Sequence, residues 1–243
     1  MPNPIVHFEV MGRNLDALKA FYTGLFGWHS EDWPMPNGTN YVGIDTHAGG
    51  INGGLVAIPD EATPAATCYI AVEDPAATLK KIESLGGQTL VPVTDVGMVV
   101  FAVFMDPQGH PVGLVKADDS TQPQEAPKPP TEGAVGWFQL MGPDGPKLQD
   151  FYRSAFGWEI DTHDESGYGE VDTKAGGIGA GIGQDPEGQG HVTFFIQTAD
   201  ITAKLKAIEA AGGKTLMPET DMGGVVFGMF TDPDGCLVGL YKG

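Results

Sequence analysis

The chain has 243 residues, 41% of them hydrophobic and 19% charged, with a formal net charge of −19. That balance is globular and long enough for one large domain or two of about 120 residues, and so acidic a surface argues against nucleic acid or anionic lipid as partners. No apolar run reaches the roughly 18 residues of a spanning helix, MPNPIVHFEV lacks the pattern of a secretory signal, and Cys68 and Cys236 sit in dissimilar contexts, so the expectation is a cytoplasmic protein with reduced thiols.

From the N-terminus, IVHFEV (5–10) reads as a strand and LDALKAFYTGLF (15–26) as a helix, with Leu15, Leu18, Phe21 and Leu25 on one stripe and Gly27 as its stop. Three short strand-like runs follow, divided by Gly, Pro and Asp. CYIAVE (68–73) and PAATLKKIESLGG then repeat the order, with Leu79, Ile82 and Leu85 periodic and Gly86-Gly87 closing the helix. Each half therefore reads β-α-β-β-β. ADDSTQPQEAPKPPTE, rich in proline and polar residues, predicts an extended linker over 118–132.

Beyond the linker the chain repeats itself. KAFYTGLFGW (19–28) returns as QDFYRSAFGWEI (149–160), YVGIDTHAGGINGG (41–54) as YGEVDTKAGGIGAG (168–181), and LGGQTLVPVTDVGMVVFAVFMDPQGHPVGLVK (85–116) as AGGKTLMPETDMGGVVFGMFTDPDGCLVGLYK (211–242). Ordered similarity of this length implies duplication: a first domain over 1–117, a second over 133–243, and four βαβββ units in all.

Strand alternation places Val6, Phe8 and Val10 under the helix, and Ile5, His7, Glu9 and Met11 on the opposite face. In the second copy Gly136, Phe138 and Leu140 lie under the helix, and Val135, Trp137, Gln139 and Met141 opposite. A face mixing imidazole, carboxylate, amide, indole and thioether reads as a cleft wall. His29, His47, His110 and His163 read as solvated loop or strand-end residues. The clusters AGGINGG and AGGIGAG lack the Lys-Ser/Thr of a phosphate loop and read as tight connections. DPQG and DPDG are turn sequences. No G-x-S-x-G is present.

HFEV…AFYTGLFGW opening a unit and MDPQGHPVGLV closing one resemble the vicinal oxygen chelate superfamily, which includes glyoxalase I, extradiol dioxygenases and the fosfomycin and bleomycin resistance proteins. The resemblance spans nearly the whole chain outside the linker. It implies an α+β fold of four tandem βαβββ units forming two glyoxalase-like domains, each with a curved mixed sheet around a cleft, and a chain that is a monomer or a dimer. Metal-dependent members carry a His seven residues before the helix-opening position, a second at the same place in the next unit, and a Glu four residues after the Gly of DP-x-G. Here those places hold His7, Thr67 and Gly113 in the first copy and Trp137, Thr193 and Gly239 in the second. His191 shares the parity of Thr193 without matching the motif. One donor in one copy and none in the other falls short of the three or more that Zn²⁺ or Fe²⁺ takes from a protein. The expectation is no metal cofactor, with His7 as the ligand if a divalent ion is present.

Two readings stay open. The first is a binding protein holding a small organic molecule, aromatic or cationic, against Tyr69, Trp137, Gln139, Met141 and Phe195. The second is a glyoxalase-like or dioxygenase-like enzyme, a lyase or oxidoreductase, using His7 and Glu9 as metal ligands or as an acid and base.

Overall fold

The structure, a computed structural model, describes residues 3–35, 40–117, 130–163 and 166–243. The predicted linker, apart from residues 130–132, lies outside them. The first βαβββ unit is β1 (Ile5–Gly12), α1 (Leu15–Phe26), β2 (His29–Pro34), β3 (Asn40–Asp45) and β4 (Asn52–Ala57). The second is β5 (Ala65–Val72), α2 (Pro75–Ser84), β6 (Gln88–Asp95), β7 (Val100–Met105) and β8 (Pro111–Lys116). The third is β9 (Val135–Gly142), α3 (Gly145–Phe156), β10 (Glu159–Thr162), β11 (Gly169–Asp172) and β12 (Gly179–Gln184). The fourth is β13 (His191–Gln197), α4 (Ile201–Ala210), β14 (Lys214–Asp221), β15 (Val226–Thr231) and β16 (Leu237–Tyr241). They form two eight-stranded mixed sheets, ordered β2-β3-β4-β1-β5-β8-β7-β6 and β10-β11-β12-β9-β13-β16-β15-β14.

Each helix starts where a side chain meets its free amides. Asn14 accepts from Ala17 N, Asp74 from Ala76 and Ala77 N, Asp144 from Lys147 N and Asp200 from Ala203 N. Gly27 and Gly157 end α1 and α3 in the left-handed conformation.

The four units pair out of chain order. Of the described residues, one compact unit takes in those within 3–6, 68–117 and 137–192; the other takes in those within 7–67, 130–136 and 193–243. The second βαβββ unit thus packs largely with the third, and the first with the fourth. The duplicated motifs explain why. Tyr22 Oη donates to Asp232 Oδ2 at 3.0 Å, and Tyr152 Oη to Asp106 Oδ2 at 3.2 Å. The tyrosine of each FY motif therefore satisfies the aspartate of the DP-x-G turn in the unit it packs against. Asp232 also takes the amides of Asp234, Gly235 and Cys236. Asp106 takes those of Gln108 and His110. Trp28 and Trp158 stack on Tyr22 and Tyr152, at 5.3 and 5.5 Å. Their indole N–H groups donate to Gly133 O and Asn3 O. Lys204 donates to Leu25 O at the end of α1, and Lys81 to Ala155 O near the end of α3.

Two expectations need correction. His110 is not solvated: it is 4% exposed, and its Nδ1 lies 2.8 Å from Asp106 Oδ2. The buried turn carboxylate draws the imidazole inward. Strand alternation on β1 holds from His7 onward but not at its start, where Ile5 is fully buried and Val6 packs against Tyr69, Ala71 and Val115. Ile5 makes an isolated bridge to Ile178, and Val135 makes the corresponding ones to Gly50 and Ile51. These contacts account for the repeated AGGI. Gly50 (φ 68°) and Gly177 (φ 91°) lie so close to Val135 O and Ile5 O that any side chain would collide with the carbonyl.

Tyr152→Phe removes the hydroxyl from a buried carboxylate network and should cost about 1–3 kcal/mol of stability. Tyr22→Phe should cost a similar amount. Denaturant midpoints of the two variants, at unchanged slope, measure this; midpoints within error of the parent would show the network to be energetically idle.

Candidate functional site

On β1 the register pairs His7 with Asn52 and Glu9 with Gly54, and Gly54 in turn pairs with Gly43 on β3. Tyr41, at the start of β3, stands opposite Val56. Its ring crosses β4 above Gly54, the space any Cβ at 54 would occupy. The crossing delivers the hydroxyl to β1: Tyr41 Oη lies 2.6 Å from His7 Nε2 and bonds the Glu9 side chain. Trp33 of β2 stacks on Tyr41 at 5.8 Å and 17°, its own ring lying over Gly43.

The hydroxyl of Tyr41 thus bridges the His7 ring and the side chain of Glu9, which is only 8% exposed. Burial holds the His7 imidazole down at about 4, so the ring is neutral near pH 7. Burial, then the Glu9 charge and its hydrogen bond, push the Tyr41 phenol far above its ordinary range. The result is a relay of contacts, His7–Tyr41–Glu9, that reaches a largely buried acidic side chain.

The second copy repeats the frame with other side chains. Gln139 pairs with Gly181, and Tyr168 crosses above Gly181. Trp137 Nε1 donates to Tyr168 Oη at 3.3 Å, and Gln139 also bonds that hydroxyl. Trp137 lies over Gly179, its Cζ3 2.5 Å from where a Cβ would sit, and Gly183 faces both Tyr168 and the Met141 thioether. Burial is the largest effect on Tyr168 and raises its pKa, helped by Glu170; its two N–H donors work the other way.

Of the residues singled out from sequence, His7 and Glu9 are thus joined through Tyr41, and Trp137, Gln139 and Met141 gather around Tyr168. Tyr69 and Phe195 repeat the ring-over-glycine arrangement on β5 and β13. Each is buried with its ring over a glycine, Gly113 and Gly239 respectively, and meets Phe101 or Phe227 edge-on. His191 is half-buried, and its imidazole is lowered first by burial, against the pull of Asp185. Sequence reading missed Tyr41, Tyr168, Gly54 and Gly181, although both copies keep the tyrosine and the closing glycine at the same separation.

With this geometry in view, comparison with known proteins is decisive. The profile of the Glyoxalase/Bleomycin resistance protein/Dioxygenase superfamily matches residues 4–114 and 134–240. The chain belongs to that superfamily. A Mycobacterium tuberculosis (strain CDC 1551 / Oshkosh) protein named "Putative glyoxylase CFP32" is 32% identical over 93% of this chain and 89% of its own length. The "Anthracycline biosynthesis protein DauV" of Streptomyces sp. (strain C5) is 27% identical over 64% of this chain and 61% of its own. Among solved structures, the Mn(II)-bound glyoxalase of Novosphingobium aromaticivorans superposes with TM-score 0.68 at 13% identity, over 99% of this chain and 83% of that one. The 2,3-dioxygenase LapB of Pseudomonas sp. KL28 gives 0.66 at 16%, over 99% and 92%. These two likenesses concern the fold.

Superfamily membership raises a metal, and the donor set does not fit one. Among the described residues no three His, Cys, Asp or Glu side chains gather as a ligand shell. At the two glycines standing where the superfamily glutamate would, a Cβ would run into the rings of Tyr69 and Phe195. A carboxylate arm cannot leave the strand at either place without displacing an aromatic ring.

His7 should titrate near pH 4 by NMR. Its folded-state pKa lies below the unfolded value of about 6.5, so the unfolded chain takes the proton first. Stability should therefore fall as pH drops from about 6.5 toward 4, and His7→Gln should remove that part of the slope. Gly54→Ala should expel Tyr41 from its seat and shift the His7 ring resonances; unchanged resonances would contradict the crossing.

Proposed function

We propose that this protein binds a small, flat organic molecule on its half-exposed sheet faces, without a metal at the superfamily position. The observation that carries this is the Tyr41 hydroxyl seated over Gly54 between His7 and Glu9, because a protein side chain there takes up the bonding capacity a metal would use. Trp33, Tyr41, Trp137 and Tyr168 each lie over a strand glycine. Rings held in this way offer large, rigid area for stacking at low entropic cost. Similarity to a protein named for anthracycline biosynthesis supports a planar ligand, since an anthracycline is itself a planar polycycle. The Glu9 carboxylate favours a ligand bearing a cation or hydroxyl at the first face.

One observation supports a second reading, a proton-transfer enzyme. The relay ends on the Glu9 carboxylate, which could take a proton from a carbon acid beside a carbonyl while Tyr41 and His7 adjust to the change in charge.

Elemental analysis and a thermal-shift titration test the proposal together. Protein purified without chelators should carry far less than one equivalent of transition metal. A naphthyl compound should raise the melting temperature in proportion to the logarithm of its concentration, with or without EDTA. Stoichiometric Fe, Mn, Ni or Zn that is lost in His7→Ala would overturn it.

A further inference from the structure

The hairpins that carry Tyr41 and Tyr168 are fastened by different means, and the difference centres on Gln149. We propose that Gln149 is the positioning residue of the Tyr168 face. Its carboxamide ties the backbone that leads into the tyrosine to the strand beneath the ring, and so holds the face in the form that takes a ligand. This rests on the flat-ligand reading and adds to it which residue outside the face governs its affinity.

Gln149 sits on the buried side of α3 and is 2% exposed. A carboxamide has two N–H donors and one acceptor oxygen, and all of them go to one corner of the sheet. Nε2 donates to Gly167 O and to Ile182 O, both at 2.9 Å. Gly167 immediately precedes Tyr168, and Ile182 immediately follows Gly181 on β12. Oε1 accepts from Thr162 Oγ1, at the end of β10, at 2.8 Å. Arg153, one turn further along α3, donates to Ile160 O and to Thr162 Oγ1 from the same side. A single side chain therefore gathers the end of β10, the entry to β11 and the strand under the Tyr168 ring. Room is made for it at Gly169, which pairs with Thr162: a Cβ there would stand 2.8 Å from Gln149 Nε2.

In the first copy Lys19, Thr23, Asp32 and Val42 stand in the places of Gln149, Arg153, Thr162 and Gly169. Val42 sets a buried side chain where the second copy has none. Lys19 turns instead to the surface and meets Asp32, Nζ to Oδ2 at 2.6 Å, the two side chains being 31% and 59% exposed. An ion pair so open to water contributes about 0–1 kcal/mol and is screened by salt. The first copy fastens its hairpin at the surface, the second in the interior. A ligand binds only those molecules whose ring lies over the glycine, so its apparent affinity scales with that seated fraction. Gln149 raises the fraction for Tyr168 from beneath the sheet.

The test uses the full chain and 2-acetonaphthone, an uncharged probe. Its affinity is read at each face by NMR, from the Trp137 and Trp33 indole N–H resonances, and the seating of Tyr168 from the Overhauser contact between its ring and Gly181. Gln149→Leu should weaken that contact and lower the affinity at Trp137 about five- to tenfold, while the affinity at Trp33 stays within about twofold. A graft of the first copy's fastening, Gln149→Lys with Arg153→Thr and Thr162→Asp, should bind at low salt and weaken about threefold at Trp137 in 0.5 M salt; the parent should not. Affinity at Trp137 unchanged in Gln149→Leu, with the melting curve intact, would overturn the assignment. Should that variant not fold, a graft whose affinity ignores salt overturns it instead. If acetonaphthone moves neither indole in the parent chain, the flat-ligand reading is wrong, and the Tyr168–Gly181 contact alone still decides whether Gln149 seats the ring.

Discussion

A buried carboxylate at a tight turn organises each compact unit. Asp106 and Asp232 hold their own DP-x-G turns through backbone amides, and each is completed by a tyrosine from a different βαβββ unit. A carboxylate so far from water needs its partners, because an unmet hydrogen-bonding group in that position costs a few kcal/mol. Around each contact the structure adds a stacked tryptophan, whose N–H reaches a backbone carbonyl, and a lysine at or near a helix end. These groups fix the helix layer beneath each half-sheet. The register of β1 on β4 and of β9 on β12, which seats the two tyrosine relays, is built on that layer.

On the opposite face the recurring device is an aromatic ring laid on a glycine. Tyr41 on Gly54, Trp33 on Gly43, Tyr69 on Gly113, Trp137 on Gly179, Tyr168 on Gly181 and Phe195 on Gly239 all follow it. The ring gains a flat bed, and the glycine, poor in a strand by itself, recovers the packing it lacks. At Gly113 and Gly239, where the superfamily resemblance puts a glutamate, a ring of this kind occupies the space a side chain would need.

The fold was largely legible in the residues. Helix α1 runs over the twelve positions its Leu and Phe spacing marks, and its Asn14 cap and Gly27 stop lie where local chemistry puts them. The duplication was legible because whole segments recur. His7 and Glu9 could be read as sharing a face because alternation is local. Their connection through Tyr41 could not, because it depends on a side chain two strands away reaching across a third, which only sheet order supplies. His110 was misread for a related reason: its turn sequence says loop, and only the tyrosine from α3 and the buried Asp106 show that the loop is inside. The glycine clusters were read as bends. AGGI is indeed a close approach of backbone, but Gly54 and Gly181 are strand positions kept clear for a ring.

The interleaved pairing of units has a bearing on how such a chain evolves. Each core is woven from both copies of the duplication, so neither copy is a self-sufficient module. A recombination event that discarded one copy would strip a wall from both interiors at once, leaving an unanswered aspartate or tyrosine in each. The fused state therefore acts as a ratchet: with both interiors shared between the copies, the relay side chains of one can differ from those of the other without freeing either copy from the pair.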